Sequence, residues 1–236
     1  MKIVTSARTA SVKELSHDRL GARFEKALST YDTQRRVETL VDEFLVPLDV
    51  RGKKALDVGC GLGFFSQRLH DSGAIVTACD IGPNLVMETG KRVGCAVVQA
   101  DALALTSTFK QGEFDFVVSS ECIEHTPDPQ RAVREMTRVL KPGGYLSLST
   151  PNLLWYPAVR GATLLKLRPF DGYENFSTWG SLRGLLEESG MEICEQKGLH
   201  LFPFQFRLHR LSRWVDEKAQ GLRGCMINIC LLARKI

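Results

Sequence analysis

The feature that most constrains the fold is a regular alternation of short apolar segments with longer amphipathic ones between residues 54 and 152. Each apolar segment is almost entirely hydrophobic, which is typical of strands buried on both faces of a parallel sheet. The intervening segments have apolar residues at helical spacing and end at glycine. The pattern therefore predicts an α/β domain whose parallel sheet is covered by helices on both faces. The predicted strands are KALDV, AIVTACD, CAVVQAD, FDFVVSS and YLSLSTPN.

Segments on either side of this core complete the predicted domain. Residues 31–48 place apolar side chains at helical spacing and predict an amphipathic helix that ends near Pro47. A later helix is predicted to begin at its N-cap Ser177 and to stop at Gly190. The two segments MEICEQKG and CMINICLLARK predict closing strands.

The same features divide the chain into an arm and a domain. Residues 1–30 begin with a polar stretch of mixed charge and are predicted to form an N-terminal arm or cap. Residues 31–236 form the predicted domain, interrupted by an insertion at about 153–178 that is rich in aromatic residues, proline and glycine. We expect this insertion to form a small lid over a ligand crevice.

Composition excludes several classes of protein. The 31 Lys and Arg residues exceed the 27 Asp and Glu residues by only four, so no nucleic-acid partner is expected. No apolar stretch reaches the ~20 residues that a membrane helix needs. The seven cysteines form no CxxC pair, which favours a reducing, cytoplasmic setting. The oligomeric state is left open.

A glycine-rich turn follows the first predicted strand, in the sequence Asp57-Val58-Gly59-Cys60-Gly61-Leu62-Gly63. Such glycines permit a tight turn and let a ligand approach bare backbone. In the dinucleotide fingerprint G-x-G-x-x-G the last glycine comes three positions after the second, whereas Gly61 and Gly63 are two apart. An acid at Asp57 would repel a pyrophosphate and attract a cation. The turn therefore favours a ligand with positive charge.

Aspartates end three successive predicted strands, at Asp57, Asp80 and Asp101. The carboxyl ends of parallel strands meet at the edge where such sheets bind ligands. An acid at Asp80 can accept both hydroxyls of a ribose, and one at Asp101 can reach an adenine amino group. Each aspartate alone also fits a helix cap or a turn.

These motifs resemble those of class I S-adenosylmethionine-dependent methyltransferases. Within that class the chain is most similar to methyltransferase type 11 and the ubiquinone-biosynthesis O-methyltransferase type. The resemblance is close over about residues 35–152 and looser over the predicted helix STWGSLRGLLEESG. It is carried by LDVGCGLG, Asp80, QADA, FDFVVSSECIEHTPDP and VLKPGGYLSLSTPN.

The resemblance implies a fold, a cofactor and a set of binding residues. The fold would be Rossmann-like, with seven mostly parallel strands in the order 3-2-1-4-5-7-6 and the last strand antiparallel. The cofactor would be S-adenosyl-L-methionine, released as S-adenosyl-L-homocysteine. The implied binding residues are Gly59, Gly61 and Gly63 at the methionine part, Asp57 at its amino group, Arg36 at its carboxylate, Asp80 and Ile81 at the ribose, Asp101 and Ala102 at the adenine, and the Ser120 backbone.

The predicted fourth strand is followed by an E-x-x-E-H group made of Glu121, Glu124 and His125. Three hypotheses remain open for it. Glu124 and His125 would fix the loop by hydrogen bonds, or His125 would act as a general base toward an acceptor hydroxyl. In the third, which rests on the resemblance to ubiquinone-type enzymes, the group would hold a divalent metal; this hypothesis is not favoured.

The acceptor side is predicted from residues after the fifth strand. An aromatic cluster is expected to line an acceptor pocket or to pack the lid onto the sheet. It consists of Trp155, Tyr156, Phe170, Tyr173, Phe176 and Trp179. His200 is expected either to face the crevice or to have a structural role. The segment from Arg207 to Lys235 has seven Lys and Arg residues, and aromatic and apolar side chains from Phe202 onward are interleaved with them. It would touch a lipid surface or a lipid-linked acceptor or, in the simpler interpretation, form a solvated helix that covers the sheet edge.

Together these features predict an S-adenosylmethionine-dependent methyltransferase acting on a small-molecule or lipid-like acceptor. O-methylation is the preferred reaction, with N- or C-methylation as the alternative. An NAD-dependent oxidoreductase and a non-catalytic cofactor-binding module are the alternatives from other classes.

Overall fold

The computed structural model describes residue 11 and residues 13–20, 30–164, 172–202 and 208–236. Within these residues a seven-stranded sheet has the order β3-β2-β1-β4-β5-β7-β6. β7 is antiparallel to β5 and β6, and the other neighbours are parallel. The predicted order and direction of the strands are confirmed. The strands are β1 Lys54–Val58, β2 Ile75–Asp80, β3 Ala96–Gln99, β4 Phe114–Ser120, β5 Leu140–Pro151, β6 Met191–Leu199 and β7 Asn228–Lys235.

Helices cover both faces of this sheet. Within β4, Val117 packs into one hydrophobic cluster with Met136 and Leu182, while Phe116 and Val118 pack into another with Leu69. This alternation is the period of two expected when a strand is buried on both sides. The described α-helices are α1 Ser16–Leu20, α2 Thr30–Val37, α3 Phe64–Asp71, α4 Pro83–Val93, α5 Pro129–Val139, α6 Tyr156–Leu164, α7 Trp179–Glu188 and α8 His209–Lys218.

Three predicted boundaries differ from the structure. The helix predicted over 31–48 is α2, which continues as a π-helix at Glu38–Glu43 and a 3₁₀ turn at Val46–Leu48. The pattern of helical segments that end at glycine predicts that α5 continues to Gly143 and Gly144, but α5 ends at Val139 because Leu140 already pairs with Phe114 of β4.

The predicted N-cap Ser177 is wrong by one residue. The side chain of Thr178 accepts a hydrogen bond from the Ser181 amide at 3.0 Å, and Ser181 completes a capping box. The backbone of Ser177 instead bridges to Asn152, which draws the chain before α7 alongside the end of β5.

The predicted arm and lid lie partly outside the described residues. Of residues 1–30 the structure describes Ser11, residues 13–20 with α1, and Thr30. Of the insertion at 153–178 it describes a 3₁₀ turn, α6 and residues 172–178. The division at these points stays a prediction. None of the described helices is long and apolar enough to cross a membrane.

Candidate active site

The glycine turn connects β1 to α3 at the carboxyl edge of the sheet. Gly59, Gly61 and Gly63 have φ values of 73°, 53° and 81°, in the left-handed region that favours glycine. A Cβ on Gly59 would lie 2.8 Å from the Cβ of Cys122, in the loop after β4. A Cβ on Gly63 would lie 3.0 Å from Thr89 of α4. The turn is therefore packed directly against two neighbouring elements.

Asp80 ties this turn to the start of α4. One carboxylate oxygen accepts a hydrogen bond from the Gly61 amide at 3.0 Å, and the other accepts one from the Gly82 amide at 2.9 Å. Burial raises the pKa of Asp80 to about 6, although these amides oppose the shift. Each carboxylate oxygen has a further lone pair, so Asp80 can still accept ligand hydroxyls.

Asp57 is buried near the end of β1, with 1% of its surface exposed. Its carboxylate accepts a hydrogen bond from Ser66 Oγ at 2.6 Å. Burial raises the pKa of Asp57 to about 7, and the Ser66 hydrogen bond only partly offsets that rise. No lysine or arginine in the described residues forms an ion pair with Asp57, so a cationic ligand group would stabilise its charged form.

Asp101 follows β3 and caps a 3₁₀ helix that begins at Ala102. Its side chain accepts a hydrogen bond from the Leu103 amide at 2.9 Å. This contact is the one expected from the helix-cap alternative. Asp101 nevertheless lies beside the carboxyl end of β2, since the Ala100 amide donates to the Asp80 carbonyl. Ile81 is fixed nearby, because its carbonyl accepts from Gln99.

Arg36 extends from α2 to the end of β4. Its Nη1 donates to Ser120 Oγ at 2.6 Å, while Nε and Nη2 both donate to Asp32 Oδ2. Burial alone would raise the pKa of Asp32, but Arg36 and His200 lower it to about 2. Asp32 is thus an anion that orients Arg36, and two N–H groups of the guanidinium remain for a ligand carboxylate.

Two roles are predicted for His200, one facing the crevice and one structural, and its contacts are those of the structural role. It is fully buried, and its Nε2 lies 3.0 Å from Asp32 Oδ1. Its backbone amide donates to Asp216 of α8. His200 therefore belongs to a buried chain of polar contacts that links Asp32 of α2 to Asp216 of α8.

The E-x-x-E-H group forms the loop after β4. Glu121 accepts a hydrogen bond from Ser149, and its φ of 50° places it in the left-handed region. Glu124 is fully buried, and burial raises its pKa well above the usual range. His125 Nδ1 is 2.9 Å from the Tyr173 carbonyl, while Nε2 is 3.8 Å from Glu124. Among the residues described, no three His, Cys, Asp or Glu side chains converge as a metal site.

This loop is also fastened to the segment before α7. The Asn175 amide donates to the Glu124 carbonyl at 2.9 Å, and its side chain donates to the Thr126 carbonyl at 2.7 Å. These contacts are those expected if the group fixes the loop. Because a carbonyl only accepts, His125 Nδ1 carries the proton in the neutral ring and Nε2 is the basic nitrogen. His125 can therefore fix the loop through Nδ1 and act as a general base through Nε2, so the two hypotheses are compatible.

The whole site suits a cationic ligand better than an anionic one. Burial raises the pKa of four carboxyl groups along this edge, those of Asp57, Asp80, Glu121 and Glu124. Arg36 is the one buried cation that contacts the same strand ends in the described residues. Glycine backbone, an acid for an ammonium group and an arginine for a carboxylate fit the amino-acid end of S-adenosylmethionine.

Comparisons with known proteins agree with this chemistry. A family model described as a methyltransferase domain matches residues 56–148. A ubiquinone biosynthesis O-methyltransferase of Xanthomonas oryzae is 35% identical over 179 residues, covering 70% of this chain and 74% of that protein. The chain belongs to the class I S-adenosylmethionine-dependent methyltransferases. Its cofactor is S-adenosylmethionine.

Further relatives support the assignment of this chain to the methyltransferases. An enzyme of the same name from Bordetella avium is 28% identical over 223 residues and covers 85% of this chain and 91% of its own. Two solved structures share the fold. A methyltransferase from Mesorhizobium loti has a TM-score of 0.65 at 20% identity, covering 86% of this chain and all of that one. Magnesium protoporphyrin IX methyltransferase from Synechocystis, with bound S-adenosylhomocysteine, has a TM-score of 0.67 at 16% identity, covering 95% and 99%.

The aromatic cluster of the methyltransferase is only partly at the crevice. Trp155 and Trp179 donate their indole N–H groups to the carbonyls of Cys225 and Arg223, which packs them against the chain before β7. Tyr156 packs edge-on to Phe176 at 5.4 Å. The backbone carbonyl of Tyr173 accepts a hydrogen bond from His125 Nδ1. Phe170 lies outside the described residues, as do Phe204, Phe206 and Arg207 of the basic segment.

Several residues that shape the site were absent from the sequence prediction. Asp32 has a local signal, because an acid four residues before Arg36 on a helix predicts an ion pair. Ser66 and Cys122 have none, since their roles depend on how α3 and the loop after β4 pack against β1. Asp18, which contacts the start of α4, is also set by tertiary structure.

Proposed function

We propose that this methyltransferase transfers a methyl group to a hydroxyl oxygen of a small or lipid-like acceptor. The observation that carries the proposal is the hydrogen bond from His125 Nδ1 to the Tyr173 carbonyl, which leaves Nε2 as the basic nitrogen. When bound, S-adenosylmethionine would supply an electrophilic methyl group, which would form a bond to the acceptor oxygen as its carbon–sulfur bond breaks. His125 Nε2 takes the hydroxyl proton, and in-line positioning supplies much of the remaining rate.

The cofactor would lie along the carboxyl edge of β1, β2 and β3. Asp57 would hold its amino group, and Arg36, oriented by Asp32, would hold its carboxylate. Asp80 would accept from the ribose hydroxyls. These roles are supported by the hydrogen-bonding capacity left at each group. The remaining contacts would come from Gly59, Gly61 and Gly63, from Ile81 at the ribose, from Asp101 and Ala102 at the adenine, and from the Ser120 backbone.

For the acceptor we favour a phenol or catechol that carries an apolar tail. The names of the relatives, which refer to ubiquinone biosynthesis, support an aromatic hydroxyl. A general base is needed for such a hydroxyl, whereas an amine that is already neutral needs none.

Methyl transfer and cofactor binding can be tested together. The protein is incubated with methyl-labelled S-adenosylmethionine and a set of catechols of increasing tail length, and titrated with S-adenosylhomocysteine and NADH by calorimetry. We expect S-adenosylhomocysteine to bind, NADH not to bind, and the label to appear on oxygen. Tight NADH binding without S-adenosylhomocysteine binding would overturn the proposal.

The role of His125 is tested by His125→Gln. We expect kcat to fall by about 10²–10⁴-fold with little change in S-adenosylhomocysteine affinity. The matched control is His70→Gln, because His70 is half-exposed on α3, outside the site. An unchanged kcat in His125→Gln would leave His125 with only its structural role.

The surface of α8 supports peripheral contact with a lipid bilayer. Its buried face is polar, with Ser212 and Asp216, whereas Leu211 and Trp214 are 49% and 60% exposed. Apolar side chains flanked by Arg210 and Lys218 are typical of helices that lie at an anionic membrane surface. α8 follows β6 at the crevice edge of the sheet, where a lipid-like acceptor would arrive.

Vesicle sedimentation tests this contact. We expect the protein to pellet with phosphatidylglycerol vesicles and Leu211→Ser/Trp214→Ser to remain in the supernatant. Ile75→Ser is the matched control. Ile75 is 58% exposed at the amino end of β2, on the side of the sheet opposite the carboxyl ends that form the crevice. Equal sedimentation of all three proteins would show that α8 is simply a solvated helix.

The cytoplasm is the compartment we assign to the enzyme. All seven cysteines are free thiols, as is usual in a reducing compartment.

A further inference from the structure

α1 contacts the methyltransferase core at the start of α4. Asp18 Oδ1 accepts hydrogen bonds from the amides of Asn84 and Leu85 at 2.9 and 3.1 Å, and Oδ2 accepts one from the Asn84 side chain. Gly82, the N-cap of α4, provides no side chain for these amides. A Cβ on Gly82 would lie 2.6 Å from Asp18 Oδ1. The start of α4 is thus shaped to receive Asp18 as a cap from outside the helix.

The residue before Asp18 reaches the other side of the crevice. The His17 ring packs edge-on to the ring of His125, with centroids 4.6 Å apart and an interplanar angle of 82°. Lys13 lies over the Tyr173 ring at 5.4 Å. Tyr173 is the residue whose carbonyl accepts from His125. The described segment 13–20 therefore contacts both the cofactor side, next to Asp80, and the acceptor side.

Two of the described contacts bear on the plane of the His125 ring. The hydrogen bond to Tyr173 fixes the direction of Nδ1. The edge-on contact with His17 opposes a tilt of the ring and keeps Nε2 directed away from Tyr173.

We propose that His17 is a positioning residue of the methyl-transfer site. It holds the His125 ring in the orientation that proton transfer requires, and α1, which carries His17, thereby completes the site. The inference rests on the proposed role of His125 as the base. It assigns α1 to the active site itself, with Asp18 as the contact that anchors it. Removing the His17 ring would leave the cofactor contacts of Asp57 and Asp80 in place while loosening His125.

The experiment follows the imidazole nitrogens by NMR in ¹⁵N-labelled wild type, His17→Ala and His17→Phe, with His125→Gln to assign the signal. It needs neither an acceptor nor methyl transfer. Among the residues that the structure describes, the groups facing His125 include His17, the Glu124 carboxyl, the Tyr173 carbonyl and, over the Tyr173 ring, Lys13. We expect the His125 nitrogen signals and their pH dependence to change in both His17 variants, because the ring that packs edge-on to His125 is removed or replaced. Unchanged signals with an unchanged pH dependence would overturn the proposal.

Kinetics then separate positioning from proton transfer. With an acceptor found as above, His17→Ala should lower kcat by about 10–100-fold, and His17→Phe should restore most of it because it retains an aromatic ring. Asp18→Ala should reproduce the loss while keeping the imidazole, and His70→Ala should behave as wild type. A full kcat in His17→Ala, or no rescue by phenylalanine, would overturn the positioning role. S-adenosylhomocysteine affinity, measured in parallel, reports separately on the cofactor site.

Discussion

At the residue scale, the carboxylates of the site combine a structural and a ligand-binding capacity. Asp80 bridges the amides of Gly61 and Gly82, so it shapes the turn before any ligand arrives. Asp101 caps the following 3₁₀ helix in the same way. The sequence prediction weighed a cap and a ligand contact as alternatives, and a carboxylate with spare lone pairs can perform both.

The ribose role of Asp80 leads to a binding prediction. Asp80→Asn removes the charge and sets an amide N–H against a backbone N–H, so S-adenosylhomocysteine affinity should fall about thirty-fold, or about 2 kcal/mol. Calorimetry measures this. Asp115→Asn is the matched control, because Asp115 contacts Lys141 near the amino end of β4. Near-normal affinity in Asp80→Asn would remove the ribose assignment.

The raised pKa of Asp57 leads to the prediction that cofactor affinity depends on pH. The pKa of this carboxyl is raised to about 7, so a ligand ammonium group that prefers the charged carboxylate must displace a proton near pH 6. Affinity should therefore rise between pH 6 and pH 8. Calorimetry in buffers of different ionisation enthalpy would detect the released proton, and Asp57→Asn should abolish most of this release. Binding without proton release at pH 6 would contradict the prediction.

At the scale of elements, the glycine turn packs against neighbouring elements in addition to its proposed role in cofactor binding. Its left-handed residues let β1 turn into α3, and Gly59 makes room for Cys122 from the loop after β4. The packing of that loop fixes the E-x-x-E-H group relative to the cofactor edge. The sequence predicted that these glycines permit a tight turn and a close approach by a ligand, but it gave no signal for the contact between Gly59 and Cys122.

A mutant cycle separates these effects. Gly59→Ala should destabilise the fold by about 2–4 kcal/mol, combining left-handed strain with the Cys122 clash. In a Cys122→Gly background the cost should fall by about 1 kcal/mol or more. Urea unfolding measures each variant. Gly94→Ala is the control for strain alone, because Gly94 has φ 71° and no atom within 4 Å of its Cβ position. Additive effects of Gly59→Ala and Cys122→Gly would contradict the packing role.

At the scale of the whole molecule, buried carboxyls make stability depend on pH. Asp57 and Asp80 have pKa values of about 7 and 6, above the ordinary value of 3.8. The folded state then holds more protons between about pH 4 and pH 7, so stability falls as pH rises through that window. Asp32, lowered to about 2, changes its contribution only below about pH 4.

Thermal unfolding tests this balance. The Tm of the ligand-free protein should decrease from pH 5 to pH 8, and saturating S-adenosylhomocysteine should reduce the decrease because its ammonium group stabilises ionised Asp57. Asp57→Asn should show a flatter profile without ligand. A Tm that rises steadily over this range would contradict the assigned shifts.

Most of the strand order and the cofactor edge could be predicted because their signals are local. KALDV, the glycine turn and the next strand-ending acid lie within 27 residues, from Lys54 to Asp80, and the resemblance to a known class supplied the topology. The errors occur where tertiary pairing overrides local propensity. Leu140 joins β5 because it meets Phe114, and Ser177 bridges to Asn152 instead of capping α7.

The sequence by itself determined an α/β sheet, a turn unsuited to pyrophosphate and a set of acids at successive strand ends, because each follows from residues close together in the chain. Only the tertiary structure decided that His200 contacts Asp32, 168 residues away, and that Asp18 and His17 join the two halves of the crevice. Such contacts leave no periodicity in the sequence. They exist because burial forces distant polar groups to find partners with each other once water is excluded.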